Sequence, residues 1–222
     1  MFNQRYQGIE KIQDIERYTF HIMGCGAIGS SAATQLARMG ATHFRLYDMD
    51  KVEDVNIGVS MYDGRDIGKN KVSALKDLID NINPFCDVIT HNEKFHTYYH
   101  TDENDVIILG FDSMEARMDV VEACTQQRNA KPLFIIDGRM GAEHYQQYFI
   151  ANPTKSKYEK IWYSDEEGSQ EPCNRKATAY CTSMCGAFIT NTVRKVICGM
   201  PYQEEISFHF PDLSLAQKLK IQ

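Results

Sequence analysis

The sequence predicts an α/β domain built on a mostly parallel central sheet with helices on both faces. Three observations lead there. Short apolar runs recur along the chain, at 18–23, 44–47, 105–109 and 132–136. Stretches with apolar residues at helical spacing separate several of them. The first run feeds a glycine turn, Gly24-Cys25-Gly26-Ala27-Ile28-Gly29, which opens one of those helices. Alternating strands and helices give a parallel sheet covered on both sides. The strand, glycine turn and helix make that sheet Rossmann-like.

The first unit is the most specific. One glycine makes a tight turn, one lets the backbone approach a phosphate, and one lets the helix pack closely on the strand. The helix's first N–H groups then face an anion. The helix runs to about Met39, and the second run ends on Asp48. That acid lies about 20 residues after the last glycine, where a carboxylate bonds ribose hydroxyls. A turn with no ligand is the plain alternative.

Residues 1–17 are polar with scattered Ile and Tyr and read as a short helix or arm. After Asp48 the chain lacks periodicity until Lys69. Val72, Leu75, Leu78, Ile79 and Ile82 then mark a helix that Asn83-Pro84 ends. Residues 86–90 read as a strand, and 91–100 as a less regular stretch. The runs 105–109 and 132–137 are apolar enough for strands buried on both faces, with a helix over 114–129 between them. Residues 145–151 read as a further strand. The nucleotide-binding core is therefore 18–151. A long polar crossover loop follows over 152–175. The C-terminal part, 176–222, holds a helix from 176 to 197, a strand from 205 to 210, and a terminal helix from 213 to 221. All of this forms one domain.

The bulk numbers narrow the function classes. The chain has 222 residues, 43 % hydrophobic, with a formal net charge of −6. A core of that size folds alone. The negative balance and the lack of basic runs argue against nucleic acid. No stretch approaches the roughly 18 apolar residues of a membrane span. The first residues carry no apolar leader. Seven cysteines without a paired framework read as reduced thiols, so a cytoplasmic location is expected.

Three features go beyond a dinucleotide site. Asp48-Met49-Asp50 presents two acids where a ribose needs one. Gly68-Lys69-Asn70-Lys71 places lysines at a helix start, where they reach phosphates as compact charges. Gly110-Phe111-Asp112 ends a central strand on a carboxylate suited to Mg²⁺, a hard cation that takes oxygen ligands. Together they describe ATP–Mg²⁺ and displacement at phosphorus.

With these residues in view, the chain resembles the ThiF/MoeB and ubiquitin-activating-enzyme superfamily of adenylating enzymes. The matching stretches are GCGAIGS (24–30), LYDMDKVEDVNI (46–57), DIGKNKV (66–72), INP (82–84), GFDSMEAR (110–117) and PCNRKATAY (172–180). The resemblance covers roughly residues 18–200. It implies an ATP–Mg²⁺ site and attack by the C-terminal carboxylate of a ubiquitin-like or sulfur-carrier protein on the α-phosphate, giving an acyl-adenylate and pyrophosphate. By position it implies that Gly24, Gly26 and Gly29, with Ala27 and Ile28, form the nucleotide turn. Asp48 would bind ribose beside Asp50, Asn56 and Lys71 would face the phosphates, and Asp112 would hold Mg²⁺. It also implies a homodimer.

The chain departs from the family in places. Val59 stands where the family's phosphate-gripping arginine is found, and Arg65, six residues on, is the candidate substitute. Arg5, besides Arg17, is the early candidate for the arginine given to a partner subunit. There is no Cys-x-x-Cys pair, so no structural zinc of that type is expected. Cys173, beside Arg175 and Lys176 before a helix, is placed like a thioester-forming cysteine; an idle loop thiol is the alternative.

Other residues draw plainer readings. Cys25, Cys181 and Cys185 are small packing residues. The histidines at 91, 96 and 100 fit no single strand face for a metal. Arg139 either meets an incoming anion or lies in a solvated turn, and Arg117 is structural. Asp165-Glu166-Glu167 is a solvated run, or a surface that orients a partner's tail. Three functions follow: an adenylating enzyme, a catalytically silent scaffold of the same fold, and an NAD-dependent oxidoreductase. Asp50, Lys71 and the lack of an evident hydride-site acid or base weigh against the last.

Overall fold

In the computed structural model, residues 8, 12–126, 131–167 and 177–220 are described. A 3₁₀ helix, Ile12–Arg17, leads into strand β1, Thr19–Met23. Helix α1, Ala27–Met39, follows the glycine turn, and β2 is His43–Tyr47. Then come α2 (Asp54–Ile57), α3 (Lys71–Ile82), β3 (Asp87–His91) and β4 (Asp105–Leu109). Helix α4 is Met114–Gln126, and β5 (Phe134–Gly141) and β6 (His144–Ala151) form a hairpin. The rest is α5 (Lys155–Tyr158), α6 (Ala179–Ile197), β7 (Tyr202–His209) and β8 (Ser214–Lys220).

The eight strands form one sheet in the order β3-β2-β1-β4-β5-β6-β7-β8. The first five are parallel and the last three antiparallel. The apolar runs are continuous because both faces are buried. Phe20, Ile22, Val106, Ile108 and Ile136 point to a core shared with α1, α3 and α6. Met23, Ile107, Leu109 and Ile135 point the other way, toward residues of α4 and α5. Between β3 and β4 no helix forms. Rings cover that part of the sheet instead: Tyr47 stacks on His91 at 4.4 Å, and His91 on Tyr99 at 5.2 Å. Among the described residues no helix is long and apolar enough to cross a membrane.

The expected terminal helix over 213–221 is instead strand β8, paired with β7 from Tyr202↔Lys220 to His209↔Ser214. The turn chemistry decides this. Pro211-Asp212 starts a hairpin turn, Asp212 Oδ1 accepts the Ser214 N–H at 3.0 Å, and Leu213 takes φ 55°. Pairing with an open sheet edge overrides a weak local helical pattern. The crossover stretch is also more ordered than a bare loop. Thr154 caps the short α5, and Tyr158 is fully buried. Helix α6 starts at Ala179; the expected start at Lys176 lies outside the described residues.

Candidate nucleotide site

The strand order reverses once, between β1 and β4, and the crevice at the carboxyl ends of those strands is where ligands of such sheets bind. The glycine turn leaves β1 there, and Gly110-Phe111-Asp112 leaves β4 beside it. The two are packed backbone to backbone. Gly24 has φ 97°, and a Cβ on it would lie 2.7 Å from the Gly110 carbonyl carbon and the Phe111 nitrogen. A Cβ on Gly29 would lie 1.9 Å from the Gly24 oxygen. Gly26 is different: a Cβ there would meet nothing within 4 Å. Protein packing therefore does not demand a glycine at 26, and the open space lies at the start of α1. That helix has no side-chain cap. Its first N–H groups lack helical partners. Space and donors together fit an anionic group such as a phosphate.

Asp48 borders the turn. Its Oδ2 accepts the Cys25 N–H at 2.8 Å and its Oδ1 the Asp50 N–H at 2.9 Å. Burial pushes its pKa up, against the opposing pull of Lys71. Each carboxylate oxygen keeps a lone pair for a hydroxyl donor. Lys71 reaches this corner because residues 51 and 70 form an antiparallel bridge. The Lys71 N–H donates to the Asp50 carbonyl at 2.9 Å, and Lys71 Nζ contacts Asp50 Oδ2 at 2.8 Å. Burial pulls the Lys71 pKa down, but Asp48, Asp50 and Asp112 outweigh it and leave it raised. Asp112 is exposed at this mouth. Its carboxylate is chemically suited to a divalent cation.

Other candidate residues lie elsewhere or have other partners. Lys69 pairs with Asp66 at 3.0 Å and Asp77 at 3.1 Å, apart from the Asp48–Lys71 corner. Asn56 caps α2, its Oδ1 accepting the Glu53 N–H at 2.9 Å. Arg65 is 90 % exposed and paired with Asp63. Val59 gives its carbonyl to the Thr182 hydroxyl at 2.8 Å. Arg5, Cys173 and Arg175 lie outside the described residues. Arg17 pairs with Asp14 on the surface. Cys25, Cys181 and Cys185 are fully buried packing residues. Burial pushes their thiols up, that of Cys181 to about 11.

Arg139 does not lie in a solvated turn. It is buried, its Nη2 2.7 Å from Asp137 Oδ2, with its guanidinium carbon 4.7 Å from the centroid of the Tyr148 ring and 5.0 Å from that of Tyr163. Arg117 takes the other oxygen of Asp137 and donates from Nε to the Phe111 carbonyl at 2.8 Å. Asp165, Glu166 and Glu167 are exposed, as expected of a solvated run, and Asp165 in addition bonds the start of α4. His100 joins the buried Asp105, which also contacts His21 and accepts from Tyr98. No group of three or more His, Cys, Asp or Glu side chains suited to a metal occurs among the described residues.

Sequence reasoning missed Tyr62. Its hydroxyl donates to the Cys25 carbonyl and lies 3.2 Å from that of Lys71, tying the glycine turn to α3. It missed Gly186 as well, where a Cβ would lie 2.3 Å from Ser31 Oγ and force α6 away from α1. Neither residue has a signal in periodicity.

Comparison with known proteins agrees with this architecture. The ubiquitin-like modifier-activating enzyme 5 of Caenorhabditis elegans is 30 % identical over 138 residues, covering 56 % of this chain and 33 % of that protein. That of Xenopus laevis is 29 % identical over 133 residues, covering 53 % and 34 %. The matched stretch thus spans about a third of the length of these curated relatives. Among solved structures, Escherichia coli MccB with MccA-N7isoASN superposes with a TM-score of 0.74 at 18 % identity, covering 93 % of this chain and 66 % of that one. PaaA gives 0.71 at 20 % identity, covering 99 % and 70 %. The ThiF family model matches residues 3–219, and the chain belongs to the ThiF family.

Proposed function

We propose that this protein uses ATP and Mg²⁺ to adenylate the C-terminal carboxylate of a ubiquitin-like or sulfur-carrier protein. The observation that carries the reading is the corner at the switch point. It joins open space at Gly26, the uncapped start of α1, the fixed carboxylate of Asp48, and Lys71 facing three acids. Family membership and the likeness to a ubiquitin-like modifier-activating enzyme support it. MccB, of the same fold, has been solved with ATP.

Each residue then has a task. The N–H groups of Ala27, Ile28 and Gly29 bind phosphate oxygens, with Gly24 and Gly26 shaping the turn. Asp48 accepts ribose hydroxyls. Lys71, released from Asp50, neutralises phosphate charge as the carboxylate attacks. Asn56 and Arg65 approach the phosphates only by leaving Glu53 and Asp63. Asp112 offers oxygen ligands to Mg²⁺, which when bound shields charge on the departing pyrophosphate. Cys173 then attacks the acyl-adenylate as thiolate, its sulfur bonding the carbonyl carbon as the carbonyl–phosphate bond breaks and AMP leaves. The proposal includes a cytoplasmic homodimer.

The test is incubation with ATP, Mg²⁺ and labelled pyrophosphate, with and without a candidate carrier. Carrier-dependent exchange into ATP is expected, and its loss in Lys71→Met. A thiol-sensitive adduct absent in Cys173→Ala supports the thioester step. One observation favours a second reading, a silent scaffold: Val59 replaces the family arginine, and Arg65 is turned to Asp63. ATP raising the melting temperature without exchange for any carrier selects that reading. Stabilisation by NAD and not by ATP sinks both.

A further inference from the structure

We infer that Asp165 is a positioning residue: it clasps the crossover segment to the start of α4 and so fixes Asp112 at the nucleotide site. The inference rests on the nucleotide reading above. Asp165 Oδ1 accepts the Met114 N–H at 2.7 Å, and its Oδ2 accepts the Ser113 hydroxyl at 3.0 Å. Ser113 is the residue after Asp112. Helix α4 does not need this contact to begin, because Ser113 Oγ already accepts the Ala116 N–H at 3.2 Å, an ordinary local cap. The bond from Asp165 is therefore a tether between segments 51 residues apart.

Two neighbouring bonds make the tether a clasp. The Trp162 indole donates to the Met114 carbonyl at 2.9 Å, so both backbone polar groups of Met114 are held by the crossover segment. Arg139 Nη1 donates to the Ile161 carbonyl at 2.9 Å, anchoring the other end of that segment to Asp137. On the far side of Asp112, Arg117 Nε holds the Phe111 carbonyl. Asp112 itself thus sits, exposed, between two neighbours that are each gripped from elsewhere. A hydrogen-bonded carboxylate at a helix start also suits the helix dipole. The hydrogen bonds from Met114, Ser113 and Glu115 hold the Asp165 pKa down against the opposing effect of burial.

Trp162 is the chain's single tryptophan, so its fluorescence reports the clasp. The experiment uses the full chain as wild type, Asp165→Ala, Asp165→Asn and the control Glu166→Ala. It reads iodide quenching of Trp162, and ATP binding by equilibrium dialysis with Mg²⁺ and with EDTA. In Asp165→Ala, Trp162 becomes more quenchable. The Kd for ATP with Mg²⁺ rises about tenfold, the lower end of the effect of losing support for a metal ligand. The Kd in EDTA is unchanged. Asp165→Asn, which keeps one acceptor, falls between, and Glu166→Ala matches wild type. Unaltered quenching in Asp165→Ala overturns the clasp. Freed Trp162 with unchanged Mg²⁺-dependent binding, or equal loss with and without Mg²⁺, overturns the positioning role. Failure of the wild type itself to bind ATP overturns the nucleotide reading and this inference together, and is distinguishable because it needs no variant.

Discussion

A methyl group added at Gly26 and one added at Gly29 should have opposite consequences. At Gly29 the new carbon would lie 1.9 Å from the Gly24 oxygen and 2.9 Å from Ile22 Cγ2. Ordinary contact is about 3.5 Å or more. The nearest atom is backbone, so no rotamer change relieves the clash, and the turn must part from α1. Overpacking of this kind costs about 3 kcal/mol, at the upper end of its usual range. Better helix propensity returns about 1 kcal/mol. A net loss of about 2 kcal/mol lowers the melting temperature of a domain this size by about 4–8 °C. At Gly26 nothing lies within 4 Å, and the cost is that of Ala replacing Gly as an N-cap, under about 1 kcal/mol. There the methyl fills space assigned to phosphate, so ATP affinity should fall about tenfold or more, about 1.4 kcal/mol. Thermal melts and ATP equilibrium dialysis on both variants check this. A Gly26→Ala protein that binds ATP like wild type refutes the phosphate assignment. A Gly29→Ala protein as stable as wild type refutes the packing one.

Two further outcomes follow from buried charge. Asp137→Ala leaves the Arg117 and Arg139 guanidiniums, both nearly fully buried, without their shared carboxylate. Urea denaturation should show a loss of about 3–5 kcal/mol. Asp105 is pushed up by burial, but His21, Thr101 and Tyr98 outweigh that and hold it well below the ordinary carboxylate range. A depressed folded-state pKa contributes stability that is complete above the unfolded value, about 3.9, and fades as pH falls below it. The urea midpoint of wild type should therefore exceed that of Asp105→Asn from pH 5 to 7 and converge on it toward pH 2; a gap unchanged at low pH contradicts the ionised assignment.

The parts of the fold legible in the sequence are those where local chemistry and tertiary role coincide. The run from Tyr18 to Asp48 reads correctly because Gly24 and Gly29 are demanded by close backbone packing and because β1 is buried on both faces. Asp48, Asp50, Lys71 and Asp112 can be picked out together because they stand just after β2, at the start of α3 and in the turn between β4 and α4. The rest required contacts that sequence does not display. Asp165 is exposed like its two acidic neighbours, and nothing in the sequence shows that the start of α4 bonds it. Arg139 looked like a turn residue, yet β5 continues through it to Gly141 and buries it beside Asp137. Residues 213–221 looked weakly helical because nothing in them reveals the open edge of β7. Tyr62 fills a space defined by two segments on either side of it in sequence.

The way α6 lies on α1 has a consequence in time. Gly186 lets the two helices approach until a side chain would collide with Ser31 and Gln35, and Cys181, Cys185, Ile189 and Val193 complete that side of the core. The α6 residues among these are synthesised after β1 to β6. A nascent chain that has reached Ala151 already holds every element of the nucleotide corner, but one face of α1 is still bare and the β6 edge is open. Such a half-covered sheet is prone to aggregation. From the end of β6 until α6 leaves the ribosome, the domain therefore carries its site on an unprotected scaffold.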